Sequence, residues 1–316
     1  MARVGAVMPD GAGAATRGSI GRRLRYRAPI AIDPLLRFLG DRAIPGVESF
    51  DGTAFRRSVR TLDGAHTVIA LTPRLDKGEV LLRYPADDAR PSSLIPVARR
   101  LLDLDADPTL IDAALSSDPA LRPLVRATPG IRVPGAADGF ELAVRAILGQ
   151  QVSVRAARTF AGRIAAATGT RIERPLDDIT HLFPTAEQLA ASSLGSFGLT
   201  TARAATVRRL AELVASGDLD LSGEADREAT TERLLAVPGV GPWTAAYIAM
   251  RALRDPDAFP VGDLGVRLGF EALGLPSAPA DTLAYAERWR PWRAYAVMHL
   301  WTGVHGDRAV APHRMT

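Results

Sequence analysis

The chain has 316 residues, 47% of them hydrophobic, enough for two or three small domains with cores of their own. Its formal net charge of +4 is compatible with a nucleic-acid partner but does not demonstrate one. The absence of cysteine excludes disulfides, thiolate zinc sites and iron–sulfur clusters, and no apolar run reaches the length of a membrane span.

Residues 1–21 are rich in Gly and Ala and lack a hydrophobic signal core, so they read as a flexible tail on a cytoplasmic protein. Pro34 to Arg42 and Leu94 to Asp103 read as helices. Phe55 to Thr61, Thr67 to Thr72 and Val80 to Tyr84 alternate like strands, with turns at Asp63-Gly64 and Lys77-Gly78. Together these predict an α+β unit with an antiparallel sheet. After the Pro- and Gly-rich stretch Arg122 to Gly139 the chain reads as almost wholly helical. Phe140 to Leu148 presents one apolar face. Ser153 can cap a second helix that Gly169 ends, and Thr185 with Gln188 makes a capping box. Further helices are predicted over Thr201 to Ala215, Leu264 to Ala272, Ala280 to Arg288 and Trp292 to Trp301. The five histidines show no metal-ligand spacing, and His299 reads as structural.

The most specific run is Val237-Pro238-Gly239-Val240-Gly241-Pro242-Trp243-Thr244-Ala245, followed by Phe259-Pro260-Val261-Gly262-Asp263-Leu264-Gly265. Pro238 cannot continue the helix before it. Gly239 and Gly241 permit the positive φ of a tight hairpin. Pro242 suits the first turn of a new helix, whose free N–H groups and dipole form an anion site needing no basic side chain. Such a site grips a phosphate backbone without reading sequence. Asp263 then stands alone ahead of another helix. Its plain role is an N-cap, with which a chemical role is compatible. Asp255 and Asp257 read as turn residues.

This run resembles the helix-hairpin-helix glycosylase superfamily of DNA base-excision enzymes, and more narrowly its alkylation-repair branch, the DNA-3-methyladenine glycosylase II (AlkA-type) family. Val144 to Val154 is similar to that family's first helix and wedge loop, and Tyr285 to Arg293 and Tyr295 to Trp301 to its closing helices. The resemblance covers Tyr26 to about Gly306. It implies an N-terminal antiparallel sheet domain at 22–113, followed by an all-helical helix-hairpin-helix core. That core would have one subdomain at 139–255 and a second made of 114–138 and 256–312, with the active-site cleft between them.

The resemblance also distributes roles. Asp263 takes the catalytic position, where a carboxylate near C1′ stabilises the oxocarbenium-like charge and orients the attacking water. Trp243, Tyr247 and Trp301 match the base pocket, with Trp243 and Tyr247 four apart on one helix face. Their rings would attract a base made cationic by alkylation by roughly 0.5–2 kcal/mol. Trp289 and Trp292 read as core. Pro238, Gly239, Val240, Gly241 and Thr244 match the DNA-gripping hairpin, whose carbonyls could also hold a monovalent cation; no other cofactor is implied. Gln151 matches the wedge that fills the gap left by a flipped base, with Gln150 as the alternative nearest DNA. Trp243 stands where bifunctional members carry a nucleophilic lysine, and the only lysine is Lys77.

The expectation is a monomeric, monofunctional glycosylase that excises alkylated bases from double-stranded DNA carrying damaged bases, without lyase chemistry. The alternatives are a non-catalytic helix-hairpin-helix DNA-binding module and a glycosylase for other damaged bases. Relatives fused to alkyl-transfer and regulatory domains use cysteine there, and this chain has none.

Overall fold

A computed structural model of the chain describes residues 19–61, 64–86 and 91–310. Five antiparallel strands, β1 (Ser19–Arg25), β2 (Glu48–Phe50), β3 (Phe55–Arg60), β4 (His66–Arg74) and β5 (Glu79–Pro85), form a sheet in the order β1-β5-β4-β3-β2. The three strands read from the sequence are present to within two residues at either end. Strand β1 overlaps the end of the segment expected to be a tail: Ser19 to Gly21 pair with Arg83 to Pro85, and residues 1–18 lie outside the described residues. Its alternation is hard to see because four of its seven residues are Arg or Gly, and Leu24 is its one buried side chain. The Lys77-Gly78 turn is present, with Gly78 left-handed, whereas Asp63 lies outside the described residues.

Helices α1 (Ile32–Asp41) and α2 (Pro91–Leu101) cover one face of the sheet. Period-2 burial on β4 and β5 turns Ile69, Leu71, Val80 and Leu82 toward Leu35, Leu39, Leu94 and Leu101 of those helices. The opposite face of the sheet receives a hairpin not expected in a helical stretch, β6 (Arg171–Leu176) and β7 (Ile179–His181). Ile172, Ile179 and Leu182 pack on Val68 there, and Ser58 Oγ donates to the His181 carbonyl at 2.8 Å. Its Leu-Asp-Asp-Ile turn uses Asp177 at φ +52°; β7 has only three residues, and in β6 the residues Arg171, Glu173, Arg174 and Pro175 leave little apolar alternation to read.

The helical part holds two cores. One is built from α5 (Gly139–Leu148), α6 (Val154–Thr168), α7 (Ala186–Ala190), α8 (Thr201–Ala215), α9 (Arg227–Leu235) and part of α10 (Pro242–Arg251), around Ile147, Ile164, Val207, Leu210, Leu234 and Ile248. The Ser153 cap and the Thr185–Gln188 capping box form as expected. The other core joins α11 (Leu264–Ala272), α12 (Pro279–Ala286) and α13 (Arg293–Val310) around Met298, Leu300, Phe270 and Trp289. Two helices that the sequence did not announce also feed it. They are α3 (Pro108–Leu115), which starts inside the range read as sheet domain, and α4 (Arg122–Ala127), which lies in the Pro- and Gly-rich stretch. Helix α10 serves both cores, and Tyr247 packs against each.

Among the described residues no helix is long and apolar enough to cross a membrane.

Candidate active site

Helix α9 ends at Leu235, and the Val240 N–H closes back on the Val237 carbonyl at 3.0 Å. Gly239 sits at φ +88°, and a Cβ there would lie 2.1 Å from Thr206 Oγ1, so both conformation and space require glycine. Gly241 departs from expectation. Its φ is −95°, nothing lies within 4 Å of a Cβ placed on it, and it serves as the N-cap position before Pro242. The hairpin is braced from beneath. Thr206 donates to the Pro238 carbonyl at 2.9 Å. The Gln150 amide donates at 2.9 Å to both the Gly239 carbonyl and Thr244 Oγ1.

Pro238, Gly239 and Gly241 are exposed, but the side chains of Val240 and Thr244 are buried in the core face of the turn. Those two residues therefore cannot meet a DNA backbone through their side chains, and the Val240 N–H is already spent within the hairpin. Gln150 is likewise committed to bracing. In the loop between α5 and α6, Gln151 is exposed and held left-handed at φ +55°; the other exposed residue there, Ser153, is spent as the N-cap of α6.

Asp263 is the N-cap of α11 and also the meeting point of two indoles. Its Oδ1 accepts from the Val266 N–H at 2.9 Å and from Trp301 Nε1 at 2.8 Å. Its Oδ2 accepts from Trp243 Nε1 at 2.8 Å. Gly265 makes the Trp301 approach possible, because a Cβ there would stand 2.5 Å from the indole Cδ1. The carboxylate is thus gripped by three N–H groups from α10, α11 and α13, half-buried at the junction of the two helical cores.

The aromatic residues continue from this point inward. Trp243 stacks on Tyr247 with centroids 5.4 Å apart and planes 18° apart. Tyr247 lies 6.3 Å from Trp301 at a 39° tilt, and Trp301 stacks at 5.8 Å on Phe38. Phe38 belongs to α1 of the sheet unit and was not singled out from the sequence, where nothing but its apolar character marks it. Trp289 is core, buried with Nε1 donating to Asp118 at 2.6 Å, and Trp292 packs edge-on against Tyr295.

Two arginines back the inner rings. The Arg42 guanidinium lies 3.7 Å from the Phe38 centroid, and Arg251 lies 4.9 Å from Phe38 and 5.6 Å from Tyr247. Arg251 Nη1 donates to the Tyr247 hydroxyl at 2.8 Å, while its other nitrogens donate to the Pro134 and Gly135 carbonyls. Burial alone would raise the Tyr247 pKa, but Arg251, Arg42 and Arg145 outweigh it and hold the phenol below its ordinary value. No sequence signal exposed these arginines, because Arg is abundant throughout the chain and only the fold converges Arg42 and Arg251.

Elsewhere, Asp255 shapes a turn by accepting the Asp257 N–H at 2.9 Å, and Asp257 pairs with Arg290 and Arg293 at 2.8 Å. His299 is buried, and burial pushes its imidazole down to about 4, so it is neutral at pH 7. Among the described residues no group of three or more His, Asp or Glu could hold a metal ion.

Comparison with known proteins adds an independent line. Residues 21–138 match the model of the AlkA N-terminal domain, and residues 144–294 match that of the HhH-GPD superfamily base excision DNA repair proteins. The chain is 45% identical over 289 residues to a probable bifunctional transcriptional activator/DNA repair enzyme AlkA of Mycobacterium tuberculosis, covering 91% of this chain and 58% of that relative's length. It is 34% identical to DNA-3-methyladenine glycosylase 2 of Escherichia coli strain K12, covering 88% of this chain and 95% of the relative. Among solved structures, a 3-methyladenine DNA-glycosylase from Archaeoglobus fulgidus superposes with a TM-score of 0.75 at 22% identity, over 92% of this chain and all of that one. That last likeness concerns the fold.

Proposed function

The chain belongs to the family of DNA-3-methyladenine glycosylase 2, with its AlkA N-terminal and HhH-GPD parts, and from that membership we propose that it is a monofunctional DNA glycosylase for alkylated bases. The observation that carries the reading is the Asp263 carboxylate, fixed by the indoles of Trp243 and Trp301 at the mouth of an aromatic cluster. In this reading Asp263 stabilises positive charge developing at C1′ and orients the water that completes hydrolysis. A flipped base lies among Trp243, Tyr247 and Trp301. Indoles that donate to a carboxylate are electron-rich, and this favours a cationic guest. Release of free bases from methylated duplex DNA by the purified protein, compared with Asp263→Asn, tests the assignment.

The exposed hairpin at Pro238, Gly239 and Gly241 grips backbone phosphate through the N-terminus of α10, and Gln151 enters the space the base vacates. A monovalent cation would use the second lone pairs of the Val237, Pro238 and Gly239 carbonyls, each of which already accepts one hydrogen bond. Gly241→Asp separates grip from fold. Its backbone is extended and its surroundings are open, so the new side chain caps α10 and does not lower stability. Its charge faces the phosphate, so affinity for damaged and undamaged duplex should fall alike, about tenfold or more at low salt. A loss confined to damaged DNA, measured by fluorescence anisotropy, would move the hairpin's role to the base pocket.

At the position where bifunctional members of the superfamily carry a lysine stands Trp243, whose nitrogen is a hydrogen-bond donor to Asp263 and no nucleophile. Lys77 lies at the end of the β4–β5 connection in the sheet unit. Product DNA should therefore carry intact abasic sites, with breaks only after alkali, and borohydride should trap no enzyme–DNA adduct. Efficient trapping would overturn the monofunctional reading.

A further inference from the structure

We infer that Tyr247 donates its phenolic proton to neutral purines as they leave, so that the site handles deaminated purines by a route that cationic alkylated purines do not need. The inference rests on the base-excision reading above. Its starting point is the hydrogen bond from Arg251 Nη1 to the Tyr247 oxygen at 2.8 Å. A guanidinium has no acceptor, so the phenolic proton cannot be returned along that bond. Among the described residues no protein acceptor takes it. Tyr247 stands in contact with both helical cores, stacked beside Trp243 and tilted toward Trp301, in the cleft where a flipped base is placed.

The charges around the ring support a donor. Arg251 is buried, and its position is fixed by the main-chain carbonyls of residues 134 and 135. Arg42 leans on Phe38 at 3.7 Å, and the Arg145 guanidinium holds the Arg42 carbonyl at 2.6 Å. Together these cations favour the tyrosinate over the phenol. The pocket is therefore polar end to end. Asp263 and its two indoles make the sugar end electron-rich, and the Arg-backed phenol makes the far end a proton source.

The two classes of substrate meet this polarity differently. An alkylated purine is already cationic, and when the C1′–N bond breaks its electron pair neutralises the base, so no proton is required. A neutral purine departs with the electron pair as an anion. Tyr247 then passes its proton to an acceptor on the purine, the tyrosinate rests against Arg251 and Arg42, and water later reprotonates it. The water that adds to C1′ releases its own proton to Asp263 and solvent. General-acid help of this kind contributes roughly 10²–10⁴-fold.

The test uses single-turnover excision from two duplexes, one with hypoxanthine and one with 7-methylguanine. Tyr247→Phe keeps the ring and its stack on Trp243 and removes only the hydroxyl. The ratio of the hypoxanthine rate to the 7-methylguanine rate should fall at least about tenfold. Arg42→Met, which removes a cation from the other side, should lower the same ratio. A thermal melt confirms that each variant is folded. A Tyr247→Phe ratio within about threefold of the parent would overturn the donor assignment, as would a parent enzyme that releases 7-methylguanine but no hypoxanthine. A parent that releases neither base would overturn the glycosylase reading itself, so the two failures are distinguishable.

Discussion

Asp263→Asn is expected to slow base release at least about a thousandfold, near 4 kcal/mol of transition-state stabilisation, while leaving the fold and duplex binding close to the parent's. Asparagine is nearly isosteric. Its carbonyl oxygen can still accept from the Val266 N–H and Trp301 Nε1, so the cap of α11 survives. What it loses is the negative charge, along with the second acceptor. Trp243 Nε1 would then face an amide NH₂ in place of Oδ2, which costs about 1–3 kcal/mol of local stability before rearrangement. The chemical penalty is larger, because a neutral amide neither stabilises an oxocarbenium-like centre nor accepts a proton from water. Single-turnover kinetics on methylated duplex, with affinity for abasic DNA measured in parallel, separates the two effects. Excision near the parent rate would remove Asp263 from the chemistry and leave it as a helix cap alone.

The sequence disclosed the parts of this site that lie close together along the chain. The turn at Gly239, the Pro242 start of α10, the Trp243–Tyr247 spacing and the Asp263 cap all follow from local rules of backbone freedom and helix periodicity. The contacts that bind these parts together were out of reach. Trp301 reaches Asp263 only because Gly265 leaves room, and no propensity encodes that clearance. Phe38 and Arg42 lie on or just after a helix of the sheet unit and meet Trp301 and Tyr247 only through tertiary packing. Gln150 and Gln151 are adjacent and chemically alike. The left-handed turn alone decides that one braces the hairpin and the other faces outward. Strand β1, rich in Arg, and the short polar β6–β7 hairpin carry little apolar alternation, and both gain their order from contacts distant in sequence, β1 with β5 and the hairpin with Ser58 and Val68.

Arg57→Met is expected to destabilise the protein by about 3–5 kcal/mol, a large share of the roughly 5–15 kcal/mol that holds an ordinary domain. Arg57 is buried on β3, with Nη1 on Glu48 at 2.8 Å and Nη2 on Glu141 at 2.6 Å. Arg145 completes the square, bonding the same two carboxylates at 2.9 and 3.0 Å. Two cations thus balance two anions where β2, β3 and α5 meet, and methionine leaves both carboxylates sharing one guanidinium out of water. Burial opposes ionisation of Glu141, but Arg57 and Arg145 overcome it and hold its pKa below the ordinary 4.5. A depressed carboxylate contributes stability that is present above its unfolded pKa and lost as pH falls through the folded one. Removing Arg57 raises that folded value, so acid unfolding should move to higher pH and the deficit should be visible in urea melts at both pH 7 and pH 5. Arg57→Lys keeps one charge without the fork that spans two carboxylates and should fall between the parent and Met. A midpoint shift worth under about 1 kcal/mol for Arg57→Met would mean that the square is energetically idle. The same square also ties the sheet unit to the aromatic cluster, because Arg145 holds the Arg42 carbonyl at the end of the helix that brings Phe38 against Trp301. Loss of base release beyond what the unfolded fraction explains would therefore show that the sheet unit sets the geometry of the pocket as well as its stability.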